Sequence, residues 1–281
     1  MSFNTSYIVN QDLKVEDQKL SRKIDELLVL QEQIALANGF DIVDSYLATQ
    51  VYKGISGLKI LYAMQERSGT VARDYSENKS NGTYTGVVLG GSYLSDNVPR
   101  SALFSNNGYM QAGLSGSVKG LSSYTFTCLV NLNSSYPSQH LWHEATNTDV
   151  TKARLQIMWN SNGIKKLSVA VRTGTASQAL QLAETTNTIP DGIAVLHVVV
   201  NIGQNKIKIY RNGVELATTG IVDFGGAAIV EDTAPIVYPF FGRISSALSQ
   251  NFLSNASYVA LYNRELTNKE ITNQCKAVGF S

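Results

Sequence analysis

Residues 196–216 read LHVVVNIGQNKIKIYRNGVEL and contain three strand-like runs separated by short polar turns. Valine and isoleucine dominate these runs, and β-branched side chains pack well on a pleated sheet. The second turn is the pair Asn212-Gly213. A two-residue type I′ turn needs positive φ at both central residues, which Asn and Gly adopt at the least cost. The stretch therefore predicts adjacent antiparallel strands with a tight hairpin at Asn212-Gly213.

The chain on both sides of this stretch, from residue 58 onward, repeats the pattern of short apolar runs between polar turns. A second hairpin is predicted at Asn162-Gly163, in a slightly longer loop between ARLQIMW and KLSVAVRT. Many short strands in succession are typical of an antiparallel sandwich or barrel. The other predicted strands are LKILYAM (58–64), YMQAG (109–113), SYTFTCLVNL (123–132), HLWHEA (140–145), QALQLAE (178–184), VYPFFG (237–242) and SYVALYN (257–263).

A short C-terminal helix is predicted after the last of these strands. Thr267 is followed three residues later by Glu270, which is the signature of a capping box. Ile271 and Cys275 are four residues apart and share one helix face. Gly279 ends the helix, because glycine readily adopts the left-handed conformation that closes a helix.

The N-terminal region has a helical pattern of a different kind. Leu13, Leu20, Leu27 and Ile34 are seven residues apart, and Ile24 lies on the same stripe. Heptad spacing predicts a short coiled coil that joins copies of the chain into a dimer or trimer. An amphipathic helix lying on its own domain explains the same pattern. A second, shorter helix or hinge is predicted before Gly57, so the chain divides into a helical attachment and oligomerisation region (1–57) and a β domain (58–281).

The composition excludes several classes of partner. The chain has 23 basic and 22 acidic residues and a net charge of +1, without a long run of either sign, so we expect no binding to nucleic acid or to anionic membranes. It contains no apolar stretch of about 18 residues, and its start lacks the pattern of a secretory signal. Cys128 and Cys275 provide neither metal-ligand spacing nor a disulfide framework, and we expect buried free thiols.

Five segments, taken in order, carry a family resemblance. They are LYAMQERSGTVARDYSENKSNGTYTG, SALFSNNGYMQAG, SSYTFTCLVNL, LHVVVNIGQNKIKIYRNGVEL and SYVALYNRELTNKEI. Together they resemble the laminin G-like domains of the concanavalin A-like lectin/glucanase superfamily, with Leu196 in place of the usual Trp. The resemblance implies a mainly β fold, an antiparallel concanavalin A-like jelly-roll sandwich, preceded by the N-terminal helices and closed by the short C-terminal helix.

The resemblance also raises the question of calcium. In relatives that hold this ion, carboxylates near the last strand contribute to the site, and here Ser257 stands where an Asp would be expected. Asp74 and Asn78 remain as candidate Ca²⁺ ligands. One carboxylate is few for an ion that takes about six to eight oxygen ligands. The alternative is that Asp74 and Asn78 tie their loop together through hydrogen bonds to the backbone.

Catalysis is not expected. Glycoside hydrolases of related folds need two carboxylates about 5–10 Å apart, and Glu144, Glu184 and Glu215 are each isolated in their strands. His140 and His143 are three apart in a predicted strand, which places them on opposite faces and excludes a joint zinc site. We therefore predict a protein that is not an enzyme.

A lectin-like site needs an aromatic ring on which a sugar can stack and polar groups for its hydroxyls. The candidates are Trp142, His143, Trp159 and Tyr136. For each tryptophan the alternative is a place in the core, because alternate aromatic residues of a strand usually face inward.

The fold is typical of extracellular recognition, whereas the N-terminus shows no secretory signal. A bacteriophage virion protein reconciles the two, since it assembles in the host cytoplasm and is released by lysis. We expect a fibre, spike or decoration protein that attaches to other virion proteins through residues 1–57 and binds a host-surface glycan. The alternatives are a structural capsid or tail decoration protein without sugar binding, a degenerate glycoside hydrolase relative, and a bacterial surface adhesin.

Overall fold

A computed structural model describes residue 23 and residues 46–91, 93–144, 154–173, 181–220, 222–227, 239–244 and 251–281. The predicted heptad positions Leu13, Leu20, Ile24, Leu27 and Ile34 lie outside these residues. The coiled coil and the division of the chain at residue 57 therefore stay predictions.

The described residues form fifteen strands, all paired antiparallel, and two α-helices. A single 3₁₀ turn, Ser161–Gly163, lies between β7 and β8. The elements are α1 (Tyr46–Gly54), β1 (Leu58–Tyr62), β2 (Val71–Ala72), β3 (Gly82–Val88), β4 (Ala102–Gln111), β5 (Ser123–Leu132), β6 (Gln139–Glu144), β7 (Leu155–Trp159), β8 (Leu167–Val171), β9 (Gln181–Thr185), β10 (Gly192–Asn201), β11 (Lys206–Arg211), β12 (Val214–Leu216), β13 (Thr218–Thr219), β14 (Phe240–Phe241), β15 (Asn255–Tyr262) and α2 (Asn268–Ala277).

The strands make two layers with the main hydrophobic core between them. The first layer has the order β12-β11-β10-β5-β15, with β1 also paired to β15. The second layer has the order β4-β14-β6-β7-β8-β9-β13, with β3 on the other side of β4. Phe126 of β5 and Trp142 of β6 meet across the core, with ring centroids 5.3 Å apart. This arrangement confirms the predicted antiparallel sandwich.

Both predicted hairpins are present. Asn212 and Gly213 have φ values of 50° and 84°, and Arg211 pairs directly with Val214, so the pair forms a two-residue turn. Asn162 and Gly163 also have positive φ and lie in the longer connection between β7 and β8. The positive φ at all four positions explains why Asn and Gly occur there.

The two helices cover the outer face of the first layer. Tyr52 of α1 packs on Tyr258 of β15, with ring centroids 5.0 Å apart, and Ile271 and Cys275 of α2 join the same buried cluster. The predicted capping box is confirmed, because Thr267 and Glu270 exchange side-chain-to-backbone hydrogen bonds. None of the helices in the described part of the chain is long and apolar enough to cross a membrane.

The two cysteines are buried free thiols, as predicted. Cys128 lies in the core between the layers, and Cys275 lies on the side of α2 that packs against the first layer. Burial raises the pKa of both thiols, that of Cys275 to about 12. Since the thiolate is the reactive form, neither cysteine is suited to nucleophilic chemistry.

Candidate functional site

The side of the second layer that faces away from the core carries a continuous row of side chains. Residues directly opposite each other in an antiparallel pair share a face, so the strand register defines this row. Its members come from seven neighbouring strands, and we call this side the outer face: Thr83, Gln111, Phe240, His143, Gln156, Ala170 and Leu182. Their strand neighbours Tyr84, Met110, Phe241 and Trp142 point the other way into the core.

His140 and His143 both lie on the outer face, and the prediction that they occupy opposite faces is wrong. The register of β6 against β7 shifts between His140 and Trp142, which marks a β-bulge. A bulge adds one residue to a strand and resets the alternation of its side chains. Leu141 and Trp142 consequently both enter the core, and the two imidazole rings approach edge to face at 5.5 Å. Gln156 adds a contact of 2.6 Å between its Nε2 and Nε2 of His140.

One end of the outer face holds a cluster of two aromatic rings and one cation. The rings of Tyr109 and Phe240 are 5.6 Å apart in an edge-to-face arrangement. The guanidinium carbon of Arg243 lies 3.8 Å from the centroid of Tyr109 and 4.8 Å from that of Phe240. These distances are within the range of cation–π attraction. We call Tyr109, Phe240 and Arg243 the aromatic–arginine cluster, and His143 is its neighbour across β14 and β6.

The other end of the outer face is polar and charged. The carboxylate of Glu184 accepts a hydrogen bond from the Ser168 hydroxyl at 2.7 Å and pairs with the ammonium group of Lys166 at 3.3 Å. In the strands of the second layer that the structure describes, Glu184 is the one carboxylate on the outer face. Glu144 is buried on the inner side, where Ser117 donates a hydrogen bond to it.

The four residues predicted to bind sugar are not brought together. Trp142 and Trp159 have 0% exposure and lie in the core, so neither indole ring has a free face for stacking. His143 lies on the outer face, although it is buried there. Tyr136 is 48% exposed in the loop between β5 and β6. Its backbone carbonyl is held by the side-chain amides of Gln139 and Asn160 at 2.8 Å each.

Sequence reasoning missed the aromatic–arginine cluster. Tyr109 and Phe240 both fell in predicted strands, and each alternates with a core residue, which is the pattern of a strand with one outer aromatic side chain. The sequence does not indicate that the two residues are close in space, because β4 and β14 are distant in sequence and pair only in the folded chain.

The carboxylate of Asp74 is saturated by donors from its own loop and from β1. Its Oδ1 accepts hydrogen bonds from the backbone N–H groups of Leu61 and Ser76, both at 2.9 Å. Its Oδ2 accepts from the Ser76 hydroxyl at 2.8 Å and from the Ser80 N–H at 2.9 Å. These four donors occupy the directions that a cation would need.

The neighbouring polar groups fit a cation no better. Asn78 donates its amide to the carbonyl of Lys59 at 2.6 Å. Ser257 donates its hydroxyl to the carbonyl of Ala63, a bond that an ionised Asp at this position could not make. No group of three or more His, Cys, Asp or Glu residues with the spacing of a metal site occurs within the described ranges. The loop-tying interpretation of Asp74 and Asn78 accounts for these contacts, and they do not fit calcium.

Comparison with known families identifies the fold. A laminin G-like family model, described as concanavalin A-like lectin/glucanases superfamily, matches residues 104–272. The chain belongs to this superfamily. No curated protein sequence matches the chain significantly.

Solved structures with the same architecture come from proteins of different kinds. Trypanosoma rangeli sialidase in complex with the inhibitor DANA has a TM-score of 0.56 and 14% identity, over 89% of this chain and 38% of that chain. The binding domain of botulinum neurotoxin DC, in complex with rat synaptotagmin II, has a TM-score of 0.54 and 12% identity, over 79% of this chain and 52% of that one. This superfamily member thus spans about a third to a half of those proteins. At such identities the likeness shows the fold alone.

Proposed function

We propose that the chain is a non-enzymatic carbohydrate-binding protein whose ligand lies on the outer face of the second layer. The observation that carries this proposal is the aromatic–arginine cluster. Aromatic rings stack on the apolar faces of sugars, and the neighbouring polar side chains Thr83, Gln111 and Thr85 can bond hydroxyl groups. The first layer offers no comparable face among the described residues, because α1 and α2 cover it.

The arrangement of carboxylates supports binding without hydrolysis. Glycosidases place two carboxyl groups about 5–10 Å apart across the scissile bond. Glu184 is the one carboxylate on the described outer face, and it already forms an ion pair with Lys166 and a hydrogen bond with Ser168. The fold that the chain shares with a sialidase therefore carries no catalytic assignment here.

The proposal extends to multivalent display on a virus particle. In this hypothesis the heptad positions between Leu13 and Ile34 join several copies, and residues 1–57 attach them to other virion proteins. Linking several weak sites raises avidity by roughly 10²- to 10⁴-fold without any new contact. A modest sugar site would then suffice for adsorption to a host surface.

The direct test is a glycan array with the full chain and three single variants. Tyr109→Ala removes the ring on which we expect the sugar and Arg243 to stack, and we expect affinity to fall roughly tenfold or more. Tyr93→Ala is the matched control, because Tyr93 is an exposed tyrosine in the segment next to α2. Tyr136→Ala tests the loop site predicted from the sequence.

The outcomes separate the alternatives. Loss of binding in Tyr109→Ala alone supports the outer face. Loss in Tyr136→Ala with full binding in Tyr109→Ala moves the site to the loop between β5 and β6. An array on which the wild-type protein retains no glycan at any density refutes sugar binding and leaves the structural decoration protein as the better hypothesis.

A further inference from the structure

Charge is distributed unevenly along the outer face. At the polar end, Lys166 and Glu184 neutralise each other. Around the aromatic–arginine cluster the row members Thr83, Gln111 and Phe240 are uncharged, and the titratable neighbours are the two buried histidines, His140 and His143. Arg243 is thus the permanent charge that contacts the two rings of the cluster.

The guanidinium of Arg243 is positioned by rings and not by an acid. Among the described residues no carboxylate forms an ion pair with it, and its Nε atom is buried without a hydrogen-bond partner. An unpaired buried donor destabilises a fold. The charge of the guanidinium, which no described carboxylate neutralises, is available to an anionic ligand.

The stacked geometry also decides what the arginine can bind. Contact with the ring of Tyr109 uses the flat face of the guanidinium, at 3.8 Å from the ring centroid. The N–H donors lie in the guanidinium plane and point outward from its edges. This planar fork matches a carboxylate, which it can bind through two parallel hydrogen bonds.

We infer that the outer face selects an acidic sugar, with the carboxylate bound by Arg243 and the pyranose ring resting against Tyr109. The inference rests on the proposed function and names its ligand class as sugars that carry a carboxylate, such as uronic or sialic acids. The ring contact supplies affinity for any sugar, and the arginine supplies the preference for the acid. A neutral sugar would leave the cation without a counter-charge.

The experiment uses the full chain and pairs of glycans that differ in one group. The acidic probes are sialylated and uronic-acid oligosaccharides, and their partners are the same compounds with the carboxyl reduced to a primary alcohol. Sulfated oligosaccharides of the same backbone form a third arm. Affinity is measured by calorimetry for the wild-type protein, Arg243→Gln, Arg243→Lys and the control Lys276→Gln, which removes an exposed charge from α2 on the opposite side of the sandwich.

We expect the wild-type protein to prefer the acid over its reduced partner by about 10- to 100-fold, the range of a charge-assisted pair. Arg243→Gln should lose this preference and keep its affinity for the reduced probe within about twofold. Arg243→Lys should retain part of it, because lysine keeps the charge and loses the bidentate fork. Lys276→Gln should behave as the wild type, and thermal unfolding checks that each variant is folded.

Two results would overturn the inference and spare the proposed function. One is equal binding of acidic and reduced probes by the wild-type protein, and the other is tight binding of the sulfated arm with none of the carboxylated arm. Binding of no probe by the wild-type protein would overturn both proposals together. An acid preference that survives in folded Arg243→Gln would also reject Arg243 as its source.

Discussion

Replacement of Asp74 by Asn is the sharpest test of how the loop before β3 is held. The carboxylate accepts four hydrogen bonds, two at each oxygen, and is buried. An amide is nearly the same size, and its oxygen can keep the N–H groups of Leu61 and Ser76. Its NH₂ group, however, replaces the oxygen that accepts from the N–H of Ser80, so that two donors face each other and this hydrogen bond is lost. Hydrogen bonds to charged groups contribute about 1.5–3 kcal/mol each, and we expect a loss of about 3 kcal/mol.

Urea unfolding followed by circular dichroism measures this loss, in calcium and in a chelator. For a domain of this size, about 3 kcal/mol also lowers Tm by roughly 6–12 °C. Glu77→Gln is the control, because Glu77 is an exposed residue of the same loop and undergoes the same change of charge. It should alter stability by less than about 0.5 kcal/mol. The reasoning is refuted if Asp74→Asn matches this control, or if calcium stabilises the wild-type protein and not the variant.

Three further predictions concern titration and assembly. The Arg264 ion pair lowers the pKa of Glu270 from 4.5 to about 2. Glu270→Gln should therefore lower the free energy of unfolding by about 1–2 kcal/mol at pH 7. Urea unfolding should show that the difference between variant and wild type vanishes as the pH falls from 4.5 towards 2. Burial lowers the pKa of His197 from 6.5 to about 4. As the pH falls, the unfolded chain therefore binds a proton at a higher pH than the folded protein does. The free energy of unfolding of the wild-type protein should decrease by up to about 3 kcal/mol between pH 6.5 and 4, and His197→Gln should flatten this pH dependence in the same assay. Light scattering of the full chain should give a dimer or trimer, and the double variant Leu20→Lys, Leu27→Lys should give a monomer if the heptads assemble it.

The sandwich was predictable because the residues of most strands and turns favour, by themselves, the structure that they adopt in the fold. The bounds of β5, Ser123–Leu132, coincide with those read from the sequence, and the hairpin at Asn212-Gly213 follows from the φ requirement alone. In contrast, β3 (Gly82–Val88) was not among the predicted strands, although Thr, Tyr and Val favour strands. Its register against β4 also shifts after Thr85, which no local pattern indicates.

The candidate site was less predictable, for reasons that are physical. Strict alternation placed His140 and His143 on opposite faces, but the bulge at Leu141 reversed that assignment. A bulge depends on how two strands fit and leaves no residue signature in β6. The aromatic–arginine cluster depends on the pairing of β4 with β14, which is a tertiary contact. The residues on each face of a strand could be predicted from the sequence. The neighbours of each strand in the sheet could not.

The two sides of the sandwich differ in what lies against them. On the first layer, His197 bonds Gln274 of α2 at 2.9 Å, Gln274 donates to the Tyr262 hydroxyl at 2.6 Å, and Tyr262 donates to the carbonyl of Tyr52 in α1 at 3.0 Å. This series of hydrogen bonds ties both helices to the sheet. On the second layer, Arg243 has no such acceptor among the described residues. Since α1 and α2 cover the first layer and no described carboxylate pairs with Arg243, we expect the second layer to be the side on which an external anion completes the hydrogen bonding.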